Sequence, residues 1–197
     1  MPLAGNCHCR RICDLLVSVA IIHDTTLVPS KLDLLTAWLP RQPWFRGASG
    51  PDLVKAGGFR IDDPAGEVGI EMIFVIDTAD PRAPAYVVPM TYRGAPLAGS
   101  DGLIGTSEHG VLGRRYFYDA PTDPVFCAQL SALGRGEVVA QHQDQSNVAD
   151  DSVHRSGTGD QWRLVRVPDG VLQESGQVSA LVRHADGTTH RATIAIA

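Results

Sequence analysis

The sequence is poor in lysine and in cysteine, and no long uninterrupted apolar run occurs in its 197 residues. Lys31 and Lys55 are the only lysines, so the other fifteen of the 17 basic residues are arginine, a bias that reads as GC-rich coding. Basic residues are outnumbered by 22 acidic ones, giving a net charge of −5. Without clustered surplus Lys and Arg, a protein that tracks nucleic-acid phosphates is excluded. The longest apolar stretch, residues 12–22, is interrupted by Asp14 and Ser18 and is too short to cross a bilayer. No small-x-small cleavage site follows it, so it does not read as a secretory signal. Cys7, Cys9 and Cys13 crowd around His8, and Cys127 stands alone. That spacing fits neither a zinc knuckle nor a disulfide framework, which places the chain in a reducing, cytoplasmic setting with no metal and no cofactor. Cys127 is expected to be a small buried residue in a helix.

The short motifs of common catalytic machinery are missing too. There is no Gly-x-x-x-x-Gly-Lys-Ser/Thr loop and no Gly-x-Ser-x-Gly elbow. The single His-x-Asp, His142-Gln143-Asp144, has Ala149 where a kinase catalytic loop needs its metal-binding Asn. Ser107, Glu108 and His109 have the residue types of a triad, but consecutive strand residues point to opposite faces. Glu67 and Glu71 lie four residues apart on a strand, about 13 Å. That is too far for a glycosidase pair, so both are expected on a solvated face. Asp62-Asp63-Pro64 reads as a turn held by local Asx hydrogen bonds. His23, His142, His154, His184 and His190 show no metal spacing. The sequence therefore predicts no enzyme.

What is present is a globular chain, 44% hydrophobic, of one domain or one domain with an appended lobe. Ser30 and Asp33 form a capping-box signature before Leu32, Leu35 and Leu39, which fall at i, i+3 and i+7, and Pro40 ends the helix. Residues 67–76 alternate Val68, Ile70, Met72, Phe74 and Ile76 on one face and turn apolar on both faces at Ile73 and Val75, as a strand entering the middle of a sheet does. Residues 86–92 alternate again and pair with it, Pro89 marking an edge or a bulge. A further strand covers 103–112, continued by 116–118 after a bend. Asp123-Pro124 opens a second helix that buries Phe126, Leu130 and Leu133 and stops at Gly134. Three strands follow, over 162–167, 177–185 and 188–196, with a two-residue Asp186-Gly187 hairpin between the last two. The polar segment 143–160 reads as an exposed, mobile loop.

Four blocks resemble, in order, the N-terminal cap domain of actinobacterial maltokinases: AIIHDTTLVPSKLDLLTAWLPRQPWFRG, FRIDDPAGEVGIEM, YVVPMTYRGAPL and LIGTSEHGVLGRRYFYDAPTDPVF. Together they cover about residues 18–133. The resemblance implies an α+β fold, a curved antiparallel sheet wrapped on a helix as in cystatin or monellin, here with additional C-terminal strands. Residues 1–16 are expected to be a disordered extension, with Val17 an alternative start. Residues 17–134 form the cap-like region, and residues 135–197 a β-rich region packed on the same domain. Full maltokinases carry a kinase body after the cap, and the 197 residues leave no room for one.

The function expected is therefore that of a non-catalytic accessory or regulatory protein of sugar uptake or phosphorylation, acting through a protein partner. The alternative is a small-molecule module for a sugar or sugar phosphate, stacking on Trp44 and Trp162 with an anion contact from Arg114 or Arg115. Trp44, Phe45, Tyr92, Arg93, Glu108, His109, Arg114 and Arg115 fall at the family's motif positions and are the candidate contacts. For the aromatic ones among them, completing the core is the competing role.

Overall fold

The computed structural model describes residues 26–159, 161–168 and 176–197. Expectations that concern residues 1–16, Cys7, Cys9, Cys13 and the run from Val17 lie outside the described residues. The fold is α+β: a curled antiparallel sheet, two short helices and extra C-terminal strands.

Ser30 starts the first helix as its sequence predicts. In α1 (Lys31–Trp38) Ser30 Oγ accepts from Asp33 N at 3.2 Å, and Asp33 Oδ2 accepts from Ser30 N at 2.9 Å. Two otherwise free backbone donors are thereby satisfied. Leu34, Leu35 and Trp38 form its buried face, and Pro40 sits in the 3-10 turn Leu39–Arg41 that closes it.

The first sheet comprises β1 (Leu27–Val28), β2 (Leu53–Ile61), β3 (Gly69–Asp77), β4 (Tyr86–Arg93), β5 (Leu103–His109) and β6 (Gly113–Asp119). Their spatial order is β1-β5-β6-β4-β3-β2, antiparallel throughout. α1 touches both β5 and β2, which lie near opposite edges, so the sheet curls around the helix. Alternation on β3 feeds two cores. Ile70, Met72, Phe74 and Ile76 enter one cluster, whereas Ile73 and Val75 enter another with Leu34, Leu35, Trp38, Tyr86, Val88 and Met90. Burial on both faces explains the continuous apolar run in β3.

The structure departs from the sequence pattern at several points. β2 shows no clean alternation in sequence, because Gly57 and Gly58 adjoin a bulge that changes which face its residues take. Pro89 stands in an interior strand. Val87 N donates to Arg166 O on the β6 side of β4, and Pro89, two residues on, faces that same side, just before the β6 pairing begins at Met90. Its missing donor therefore breaks no ladder bond. Residues 113–119 do not continue β5; they fold back on it as a hairpin, with His109 opposite Gly113.

The helix stop lies further on than expected. α2 (Pro124–Arg135) begins at Asp123, whose Oδ1 accepts from Val125 N, and ends at Gly136, which takes the left-handed φ of +77° that favours glycine. Gly134 is buried inside the helix, where a Cβ would collide with the Trp162 ring. Cys127 is exposed on this helix, because Phe126, Leu130 and Leu133 define the buried stripe and Cys127 falls outside it.

The second sheet has the order β7-β9-β10-β8, from β7 (His154–Ser156), β8 (Arg163–Leu164), β9 (Gln177–Arg183) and β10 (Thr189–Ile196). Val178, Ala180, Val182, Ala192 and Ile194 pack with Phe59, Met72, Phe74 and the α2 stripe in one cluster. The β9–β10 hairpin closes on three residues, Ala185, Asp186 and Gly187, as His184 N donates to Thr188 O. Asp186-Gly187 marks the turn, one residue longer than its pattern predicts.

Candidate functional site

Glu71 departs furthest from its sequence expectation. It is 7% exposed and faces α1, where Lys31 Nζ pairs with its Oε2. Gln143 Nε2 donates to Glu71 Oε1 at 2.8 Å. Gln143 reaches this point because Gly58, at φ +140°, has no side chain where the amide lies. Its segment runs along the β2 edge, with Gln141 and Arg60 exchanging backbone hydrogen bonds at 2.8 Å. Arg60 is 5% exposed and approaches Asp62 Oδ1 at 3.8 Å. The Tyr92 ring lies 5.2 Å below the Lys31 ammonium. Burial alone would push the Lys31 pKa down; the Glu71 carboxylate and its hydrogen bond outweigh that and hold it above the ordinary lysine value. Burial pushes the Tyr92 phenol up. Glu67, by contrast, is exposed as expected. The expected Asp63 turn is also present, its carboxylate accepting from Ala65 N, Glu67 N and Val68 N.

The eight residues nominated from sequence do not converge on one point. Trp44 lies 5.9 Å from the Trp38 ring and 6.1 Å from Tyr86, with the Arg166 guanidinium 4.9 Å above it. Phe45 packs 5.1 Å from Tyr86, and Tyr92 packs 5.5 Å from Phe117. Arg93 makes a two-point pair with Asp123, at 2.8 and 2.7 Å, and so holds the residue that caps α2. That carboxyl is fully buried, which would raise its pKa, yet Arg93 and the Val125 amide hold it below the usual range. Glu108 and Arg114 pair across the β5–β6 hairpin at 2.8 Å, both largely exposed. His109 Nδ1 accepts from Val111 N and Leu112 N and so shapes the hairpin turn. The Arg115 guanidinium lies against Gly94.

A similar internal pair was not legible in sequence. Arg166 Nη2 donates to Asp119 Oδ1 at 2.7 Å, and here burial wins, leaving the Asp119 carboxyl above its ordinary value. Trp162 has its ring against Gly134 and its Nε1 donates to Gly159 O at 3.0 Å. The histidines hold a second surprise. His184 and His190, unremarkable in spacing, meet at 5.1 Å between ring centroids across the β9–β10 hairpin. They line a groove of about 330 Å³ with Pro81, Arg82 and Asp186. Among the described residues, no group of three or more His, Cys, Asp or Glu side chains is placed to hold a metal ion. No helix among them is long and apolar enough to cross a membrane.

Residues 38–123 match the family model of the maltokinase N-terminal cap domain. The match spans α1's last residue, all of β2 to β6 and the capping residue Asp123, and it shows the resemblance that the four sequence blocks carry. No curated protein matches the chain.

Proposed function

We propose that this protein is a non-catalytic, cytoplasmic accessory or regulatory protein of sugar metabolism that works by contacting a protein partner in sugar uptake or phosphorylation. One observation supports the reading above the others: three carboxylates of the cap-like region are each held by a basic side chain. Lys31 holds Glu71, Arg93 holds Asp123, and Arg166 holds Asp119 while covering Trp44. Such pairs organise a fold; they do not present an acid, a base or a nucleophile to a substrate. The β5–β6 hairpin differs. Its tip carries exposed Val111 and Leu112 beside the exposed Glu108–Arg114 pair, and Val28 on the neighbouring strand is 67% exposed. Apolar side chains rimmed by charge suit a protein contact.

The sugar-binding alternative has less support. Trp44 is covered by Arg166 and flanked by Trp38 and Tyr86, and Trp162 lies against α2. Neither offers an open platform for a sugar ring.

Cross-linking in cells grown on maltose, followed by mass spectrometry, tests the proposal. A transporter or kinase component is expected to be linked to the wild-type chain and lost from Val111→Asp/Leu112→Asp, which alters exposed positions only. A wild-type chain that links to no protein of sugar uptake or phosphorylation overturns it. A melting temperature raised by maltose, glucose, their phosphates or ATP would favour the small-molecule reading.

A further inference from the structure

The β9–β10 hairpin, which follows the matched residues 38–123 in the chain, places two imidazoles over a groove whose other wall, Pro81 and Arg82, lies within them. Their separation is informative. Each imidazole bound through nitrogen at about 2.0–2.1 Å puts its ring centroid about 3.2 Å from a zinc ion, so a tetrahedral angle sets two centroids about 5 Å apart. The His184 and His190 centroids are 5.1 Å apart.

A chain of hydrogen bonds behind His190 fixes which nitrogen is free to ligate. Thr188 Oγ1 donates to Asp186 Oδ1 at 2.6 Å. Its proton being committed there, Thr188 Oγ1 accepts from His190 Nε2, 3.0 Å away. Nε2 therefore carries the hydrogen and Nδ1 the lone pair. Metal-binding histidines commonly use this arrangement, one nitrogen on the ion and the other donating to an oxygen that orients the ring.

We propose that His184 and His190 bind a divalent zinc ion in this groove, with Asp186 and Thr188 as positioning residues and water completing a tetrahedral shell. The ion joins the two strands on either side of the hairpin turn. With two protein ligands, affinity is weaker than at four-ligand structural sites.

The test titrates zinc sulfate into the intact, reduced chain and follows the ring resonances of each histidine by NMR, which reads this site separately from zinc held by cysteine thiols. The His184 and His190 signals are expected to shift together and saturate at the same zinc concentration. His184→Ala should abolish saturation at His190, and His190→Ala should do the same at His184. Thr188→Val, which keeps both imidazoles and removes the acceptor for Nε2–H, should weaken binding about tenfold. The proposal is overturned if the two rings respond at different zinc concentrations, or if either keeps its wild-type response after the other is removed. All three substitutions lie at or beside the hairpin turn, and an unchanged amide spectrum confirms that the variants fold.

Discussion

The two faces of the first sheet bury comparable side chains by opposite chemistry. Towards the second sheet, the face is apolar, built from Phe59, Ile70, Met72, Phe74, Ile76 and Val87. Towards α1, apolar packing around Ile73, Val75 and Met90 gives way at one end to Lys31, Glu71, Arg60 and Tyr92. An apolar face is held by area and fit, which tolerate exchange of one aliphatic group for another. The charged end is held by partners, and each member depends on those it faces.

That contrast can be broken most strongly from the apolar side. Phe74→Ala, at a fully buried position, is expected to cost about 3–5 kcal/mol in urea-induced unfolding, through lost transfer energy and the cavity left beside Phe59. A loss under about 1 kcal/mol would mean the inter-sheet core is not close-packed.

Next comes Glu71→Ala, expected to cost about 3 kcal/mol because it leaves Lys31 and Gln143 facing no carboxylate. The double variant Lys31→Met/Glu71→Leu should recover much of that loss, because an apolar pair needs no desolvated partner. Failure to recover it would assign the loss to Gln143 and its segment.

Asp123 and Asp119 refine the comparison, since each is paired with an arginine yet their carboxyls are pushed in opposite directions. The Asp123 value is depressed, so its stabilising contribution is present above the ordinary carboxylate range and lost as pH falls through the depressed value. Asp123→Ala is expected to cost about 2 kcal/mol at neutral pH through loss of the α2 cap. The gap to wild type should narrow below about pH 4. Asp119, raised by burial, has the opposite sign: its charged form is disfavoured in the fold, so its contribution declines as pH rises through the raised value. Asp119→Asn should steepen the acid-side loss of stability, measured by thermal unfolding across pH.

The smallest effect belongs to Glu108→Ala. Its partner Arg114 is on the surface, and the unfolding midpoint should not move. A partner bound at this hairpin would instead feel the substitution in its association rate at low salt.

The elements that rest on local chemistry were legible before the structure. The Ser30–Asp33 box, the Asp123-Pro124 start and the alternation in β3, β4 and β10 depend on residues within a turn or two of each other. The Asp63 turn and the hairpin at Asp186-Gly187 belong with them. Features that join distant segments were hidden. Glu71 looks like a solvated residue until Lys31 and Gln143, 40 and 72 residues away, are brought against it. His184 and His190 have no metal spacing until a three-residue turn folds one strand onto the other. Pro89 reads as an edge signal because nothing nearby reveals that β6 ends beside it.

By itself, then, the sequence determined the starts of both helices with their N-caps, the strands that alternate cleanly, and the likeness to a maltokinase cap. The helix starts and strands follow from backbone geometry and periodicity over a few residues, and the likeness from four blocks that resemble the family in order. Only the tertiary structure decided which charges are buried, which aromatics are covered, and which histidines meet. Those outcomes depend on desolvation and on partners that curling of one sheet and packing of a second bring together, and no local pattern encodes them.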